Sequence, residues 1–286
     1  MHQQVESQTQ TWFINCGPSL DTPVMLPKVR LNPIAIQVFR GFRRLLDFVF
    51  PQNCVSCDGA IKVEEYFLCS LCREDIGFIQ SPHCFLCGIP ADLSYDFPHE
   101  EFVCGVCRQN PFQFDQARSL GFYDTVLRST IHAFKYRKQV GVLSEIDILL
   151  ENFFAENREY SQGFTVAPIP LHFNKMKERG FDQAFLIARQ VAQVLKLPLA
   201  GGLLRRVKAT LPQATMTRTE RARNIKGAFE VSRPDWVRGK NILLVDDVFT
   251  TGATVNEATK VLKKHGAEKV YVFTLGRVVV GKGMGL

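Results

Sequence analysis

The chain has 286 residues, 46% hydrophobic and 22% charged, which suffices for packed cores and excludes global disorder. Its 35 Lys and Arg outweigh 28 Asp and Glu, a formal net charge of +7 that suits a phosphate-rich ligand or a nucleic acid as well as an ordinary basic protein. No apolar run approaches the ~18–20 residues that span a bilayer, and no basic start followed by an apolar stretch marks a secretory signal, so a cytoplasmic protein without membrane insertion is expected.

Residues 1–50 read as an N-terminal extension. A polar tail rich in Gln, Thr and Pro carries an isolated Cys16. A short helix is expected over about Pro33 to Val49, with Ile36, Phe39, Leu45, Leu46 and Val49 apolar and Arg40, Arg43 and Arg44 charged. The arginines read as its solvated face; a membrane-surface or partner-binding segment is the alternative.

Residues 51–110 hold eight of the nine cysteines as four C-x-x-C pairs: Cys54/Cys57, Cys69/Cys72, Cys84/Cys87 and Cys104/Cys107. A C-x-x-C turn aims two thiolates at one point, and two turns complete a tetrahedral sulfur shell that suits Zn²⁺. Two closed, structural zinc sites are therefore expected, with a redox dithiol or an iron–sulfur cluster as alternatives. Sequential pairing and an interleaved cross-brace both fit the spacing. The stretch 54–107 is not strongly basic: Lys62 and Arg73 face Glu64, Glu65, Glu74, Asp75, Asp96, Glu100 and Glu101, which argues against phosphate gripping by this module alone.

Residues 111–280 alternate strand and helix patterns. Strands are expected at Ala117 to Tyr123, Phe164 to Ile169, Asn241 to Val245 and Lys269 to Leu275. Helices are expected at Thr125 to Tyr136, Ser144 to Phe154, Asp182 to Leu195, with Asp182 as N-cap, and Val255 to His265. The alternation predicts an α/β fold with a doubly wound, mostly parallel sheet, preceded by a small cysteine-rich zinc-ribbon module. Ligands of such sheets bind outside the carboxyl ends of the strands.

The segment NILLVDDVFTTGAT (Asn241 to Thr254) carries the clearest chemistry. A buried strand ends in Asp246 and Asp247, then small and hydroxylated residues lead into a helix. Amides of such a loop, aided by the helix dipole, cradle a phosphate, and Gly252 permits positive φ and close approach. The paired carboxylates can hold vicinal ribose hydroxyls, directly or through hydrated Mg²⁺. The plain alternative is a strand end that happens to carry two acids.

This segment resembles the phosphoribosyl pyrophosphate (PRPP) signature of the type I phosphoribosyltransferases. The resemblance places Asp246 and Asp247 on the ribose hydroxyls and assigns PRPP binding to Val248, Phe249, Thr250, Thr251, Gly252, Ala253 and Thr254, the last five gripping the 5′-phosphate. Hypoxanthine/guanine-type members have an Asp where this chain has Thr250, so the sequence looks unlike a 6-oxopurine salvage enzyme. With APIPLHFNKMKERGFDQA (Ala167 to Ala184), LPQATMTRTERARNIKGAF (Leu211 to Phe229) and the upstream cysteine module, the chain resembles the ComF/ComFC competence family over roughly residues 45–280. The family pattern usually has Asn where this chain has Asp182.

That resemblance implies a pyrophosphate loop at Pro170 and Leu171, with Arg179 before the next helix. Arg218, Arg221, Arg223 and Lys226 read either as a mobile loop closing over pyrophosphate or as a solvated helix face; Arg223, as a catalytic residue, and Asn224 are the strongest picks there. Lys135 and Arg137 are weaker candidates, and His132 and His172 are acid–base candidates that a packing role would equally explain. Mg²⁺ would accompany PRPP. The resemblance further implies a role in natural competence, with single-stranded DNA, a competence helicase and recombination-mediator proteins as partners. A phosphoribosyltransferase in nucleotide metabolism with an unidentified acceptor, and a non-enzymatic zinc-ribbon protein using PRPP as a regulatory ligand, are the alternative functions.

Overall fold

The computed structural model describes residues 53–61, 67–91, 102–136, 140–160, 163–210 and 216–279. The helix expected at 33–49, Cys16 and Arg137 lie outside them.

The cysteine-rich segment is a tandem repeat. In each half a C-x-x-C turn is closed by a short antiparallel bridge, Asn53 to Ala60 and His83 to Pro90. The third cysteine of each set then caps a one-turn helix: Cys69 before α1 (Ser70–Glu74) and Cys104 before α2 (Gly105–Gln109).

A four-stranded sheet follows, in the order β1-β6-β5-β2, with all neighbours parallel. The strands are β1 (Gln116–Phe122), β2 (Phe164–Pro168), β5 (Asn241–Phe249) and β6 (Lys269–Arg277). Parallel strands need crossovers, and both faces of the sheet are covered as a consequence. On one face lie α3 (Thr125–Tyr136), α4 (Leu143–Glu156) and α6 (Gln183–Leu195), which bury Ile131, Phe134, Ile146, Leu150 and Ile187 with Leu243, Val245 and Phe273 of the sheet. On the other lies α8 (Ala253–Lys264), whose Val255, Ala258 and Leu262 pack with Ile242, Leu244 and Val272. The alternation of these sheet residues between two cores is the period of two expected of strands buried on both sides.

Two departures from the sequence pattern matter. First, β5 does not end at Val245. It runs on to Phe249 because β6 stays beside it, pairing Asp246 with Thr274 and Val248 with Gly276. The two acids therefore sit within a hydrogen-bonded ladder and not on a loop. Second, elements appear where no periodicity marked them. These are α5 (Phe173–Arg179), α7 (Arg218–Ile225) and a two-stranded antiparallel pair, β3 (Leu204–Arg206) with β4 (Phe229–Val231).

The cysteine repeat covers the outer edge of β1. The Ile79 amide donates to Leu120 O at 3.1 Å, and Gly77 O accepts from the Phe122 amide at 2.8 Å. The Ala117 amide then donates to Leu86 O at 2.7 Å. An edge strand that would otherwise present unpaired groups is thus closed. The two halves divide between the two faces. Cys54, Val55 and Leu68 join the α3/α4/α6 core, whereas Cys84, Cys87 and Cys107 join the α8 core. The first half is also tied to α4 by Arg73, whose Nε lies 2.5 Å from an oxygen of the fully buried Glu145.

Candidate functional site

The eight paired cysteines fall into two sets, Cys54/Cys57/Cys69/Cys72 and Cys84/Cys87/Cys104/Cys107, with the four sulfurs of each set within 4.8 Å of one another. The grouping is sequential, not interleaved. The Sγ–Sγ separations of Cys57 to Cys69 and Cys87 to Cys104 are both 3.8 Å. A tetrahedron built on Zn–S bonds of about 2.3 Å has edges of about 3.8 Å, so the geometry fits a tetrathiolate zinc shell. Backbone amides point at the sulfurs, Cys69 N to Cys54 Sγ at 3.4 Å and Cys104 N to Cys84 Sγ at 3.3 Å, as thiolates require. All four protein ligands are present in each set, which leaves no open position for a substrate.

The second site lies at the carboxyl end of β5. The pleat turns Asp246 and Asp247 to different neighbours. Asp247 Oδ2 lies 2.7 Å from Lys135 Nζ at the end of α3, and each of these side chains is only 15% exposed. Asp246 accepts from the Asp247 amide at 2.9 Å and feels the charges of Lys135 and of Arg206 from β3. Burial and the adjacent Asp247 push the Asp246 carboxyl up to about 8 against that opposition. Burial works to lower the Lys135 ammonium, yet the Asp247 and Asp246 charges raise it above the ordinary lysine value.

Beyond the pair, the chain turns through Thr250 and Thr251 to Gly252, which caps α8 at φ 76°. A Cβ at Gly252 would stand 2.6 Å from Phe249 Cζ and 2.8 Å from Phe112 Cε1, so the position demands glycine twice over, for conformation and for space. Thr251 Oγ1 accepts from the Ala253 amide at 3.4 Å. The first turn of α8, including Thr254, presents helix amides and the positive dipole end.

Pro170 and Leu171 follow β2, and the loop is held by Asp182. One carboxylate oxygen caps α6 by accepting from Phe185 N at 3.1 Å, and the other accepts from Leu171 N at 3.1 Å. The two acceptor oxygens are needed at once, which an Asn could not supply. Burial raises the Asp182 carboxyl above its ordinary value, and the nearby Asp247 charge adds to the rise.

Lys175 and Arg179 lie one turn apart on α5. Burial, then the charges of Arg179 and Arg206, with Lys135 also contributing, hold the Lys175 ammonium below the ordinary lysine value. Arg206 is itself held down by burial and drawn up by Asp246. Lys135 of α3 and Arg206 of β3 thus act on the two carboxylates, and Lys175 of α5 lies close enough to both cations to feel their charge. Arg179 also donates to Gln183 Oε1 at 2.7 Å and lies over the Tyr136 ring at 5.4 Å.

Other candidates stand apart from this cluster. Arg223 is exposed on α7, a helix closed by a Thr217/Glu220 capping box. The end of α7 is joined to α8 by the Gly227 amide, which donates to Glu257 Oε1 at 2.8 Å. Arg221 and Arg223 lie on this helix, whose first-turn amides the capping box satisfies locally. His172 Nδ1 accepts from Asn174 N at 3.3 Å as the N-cap of α5, and exposed His132 packs near Tyr136 at 5.2 Å. Sequence reasoning missed Lys175 and Arg206. The signal for Lys175 was its spacing of four from Arg179, a like-charge pair that an isolated helix disfavours. Arg206 sits on a three-residue strand, too short for any periodicity.

Comparison with known proteins agrees with this geometry. Residues 45–108 match the double zinc ribbon domain family, and residues 182–279 match the phosphoribosyl transferase domain family. Competence protein F of Haemophilus influenzae is 30% identical over 80% of this chain and 98% of its own length. The DNA utilization protein YhgH of Escherichia coli K12 is 28% identical over 80% of the chain and 98% of its own. Competence protein ComFC of Bacillus subtilis is 29% identical over 73% and 84%. With its cysteine repeat of two tetrathiolate sets fused to a parallel sheet whose paired acids precede a glycine-capped helix, the chain belongs to the ComF/ComFC competence family.

Proposed function

We propose that this chain binds PRPP with Mg²⁺ at the carboxyl end of β5 and serves DNA uptake and transformation in natural competence. The observation that supports the ligand assignment is the buried Asp246/Asp247 pair, with Lys135 2.7 Å from Asp247 and the charge of Arg206 acting on Asp246, and with Lys175 beside those two cations. Cations that raise one another's energy are retained where a polyanion is to be received, and carboxylates among them suit a sugar diol or a divalent cation. The competence role rests on the names carried by the relatives, and the cytoplasm is the compartment in which the two cysteine sets would hold Zn²⁺ and incoming single-stranded DNA would be met.

Within that reading, Asp246 and Asp247 hold the ribose hydroxyls. The amides and hydroxyls from Thr250 to Thr254 hold the 5′-phosphate, and the Pro170–Leu171 turn with Lys175 and Arg179 meets the pyrophosphate. Bound Mg²⁺ would supply neutralising charge on the phosphates. Lys135 holds Asp247 before ligand arrives and is placed to transfer its contact to the pyrophosphate afterwards. The protein supplies positioning and electrostatics, and no covalent nucleophile is needed. Whether the site turns over an acceptor or reads PRPP as a regulatory signal is decided by substrate screening against nucleobases, amines and DNA ends.

Calorimetric titration of the zinc-loaded chain with PRPP, with and without Mg²⁺, tests the ligand. Magnesium-dependent binding that Asp246→Asn/Asp247→Asn abolishes is expected. A folded wild type that ignores PRPP would overturn the assignment. A transformation assay of the same double variant tests the competence role, which fails if DNA uptake proceeds normally.

A further inference from the structure

Arg277, the last residue of β6, is only 5% exposed. Its guanidinium donates through Nη1 to Cys87 O and through Nη2 to Cys87 Sγ at 3.3 Å, and it lies 4.4 Å over the ring of Phe249. A buried guanidinium is costly without a counter-charge. The second cysteine set provides one: four thiolates around a zinc ion carry a formal charge of about −2. This set is also the buried one, with Cys84, Cys87 and Cys107 no more than 2% exposed, whereas Cys57 of the first set is open to solvent.

The other side of Arg277 faces the phosphate loop. Phe249 stands edge-on to Phe112 and Phe114, both at 6.1 Å, and these two stack at 4.6 Å. The Phe249 and Phe112 rings are the surfaces against which Gly252 is pressed. The Val278 amide, just after Arg277, donates to Phe249 O at 3.0 Å. A continuous path therefore runs from the Cys87 sulfur through one guanidinium to the aromatic floor of the loop.

We infer that Arg277 is a positioning residue that fastens the Phe249–Gly252 turn to the second cysteine set, so that metal in that set determines how well the turn is ordered. With the thiolate shell intact, Arg277 has its counter-charge and holds Phe249 flat beneath Gly252. With the metal removed, the Cys87 carbonyl and sulfur that anchor the guanidinium are no longer held in place, and the floor loosens. The first cysteine set has no such connection among the described residues and does not influence the turn.

The test uses the full chain with both sets loaded. Arg277→Gln and Arg277→Lys are compared for chelator-driven zinc release, for amide exchange across residues 249–254, and, after Co²⁺ loading, for thiolate-to-cobalt charge-transfer absorption. Release from one of the two sites should quicken by about 10–100-fold in Arg277→Gln, with the other unchanged and Lys intermediate. Exchange at 249–254 should quicken in step, and half of the charge-transfer intensity should shift. Cys84→Ser should free the same amides, and Cys54→Ser should not. Phe249→Leu, which keeps Arg277 and an apolar side chain, guards against a misfolded Arg277 variant and should loosen the turn alone. Unchanged release and exchange in Arg277→Gln, or unchanged exchange in Cys84→Ser, would overturn the inference. Only the accompanying loss of PRPP affinity rests on the proposed ligand. A wild type that fails to bind PRPP would sink that reading and leave release and exchange to decide the role of Arg277.

Discussion

Lys135 and Asp247 offer the sharpest test of how the site is held before ligand arrives. Their charged atoms are 2.7 Å apart with each side chain 15% exposed. At an effective dielectric of about 20, the direct attraction at that distance is roughly 6 kcal/mol before desolvation is subtracted. Removing one partner of a buried pair leaves the other uncompensated and costs about 3–5 kcal/mol, whereas an exposed pair contributes less than about 1 kcal/mol. Lys135→Met, which keeps the apolar stem, should therefore lower unfolding free energy by about 3 kcal/mol or more, because the orphaned Asp247 is left largely buried. Asp247→Asn should cost less, and the double variant should recover most of the Lys135→Met loss, since no unpaired charge then remains. Urea unfolding of the four zinc-loaded proteins, followed by circular dichroism at constant salt, gives the cycle. A Lys135→Met loss below about 1 kcal/mol, or additive single effects, would show that solvent screens the pair and refute the account of Lys135 as a buried placeholder.

Burial and the Asp247 charge push the Asp246 carboxyl up from an ordinary 3.8 to about 8, so the folded state should keep a proton that the unfolded state has released. Stability should fall as pH rises between those values and level off beyond the upper one, and Asp246→Asn should flatten the decline in a pH series of urea melts. Under the proposed assignment the ionised Asp246 receives the ribose hydroxyls, so PRPP affinity should rise over the same interval and stay flat in the variant. Gly252→Ala must adopt φ 76° and clear two phenylalanine rings; we expect about 1–2 kcal/mol of lost stability from the backbone alone and at least a tenfold loss of PRPP affinity by calorimetry. Asp182→Asn can retain only one of two amide bonds, which should cost about 1 kcal/mol and speed amide exchange at Leu171; unchanged protection there would refute the bracing role.

The parallel sheet and its long helices were legible because Val245, Leu243 and Ile187 lie in runs whose period matches burial on two faces. The cysteine spacing likewise announced two metal shells, while the choice of sequential grouping needed coordinates, since C-x-x-C turns are locally identical in either arrangement. The extent of β5 was hidden. Asp246 and Asp247 read as a strand end, and only the neighbouring β6 explains why pairing continues to Phe249. Lys175 and Arg206 were hidden for a related reason. Their roles depend on convergence across α5 and β3, which no local pattern encodes. Arg277 carries no sequence signal at all, because its partner lies 190 residues earlier.

That separation has a consequence for synthesis. Each cysteine set closes over a short stretch of chain, so both can be metallated while the ribosome is still building the sheet. β1 emerges directly behind them, but its neighbour β6 is the last described strand to be made, and with it comes Arg277. The nascent chain thus carries both cysteine sets and an unpaired β1 until late in elongation, and the Phe249–Gly252 turn acquires its floor only when the final described strand slots between β1 and β5. Truncation anywhere before Arg277 would leave all eight cysteines in the product but the second set without its guanidinium and the turn without its floor, so a prematurely terminated product should release zinc faster from the second set than from the first.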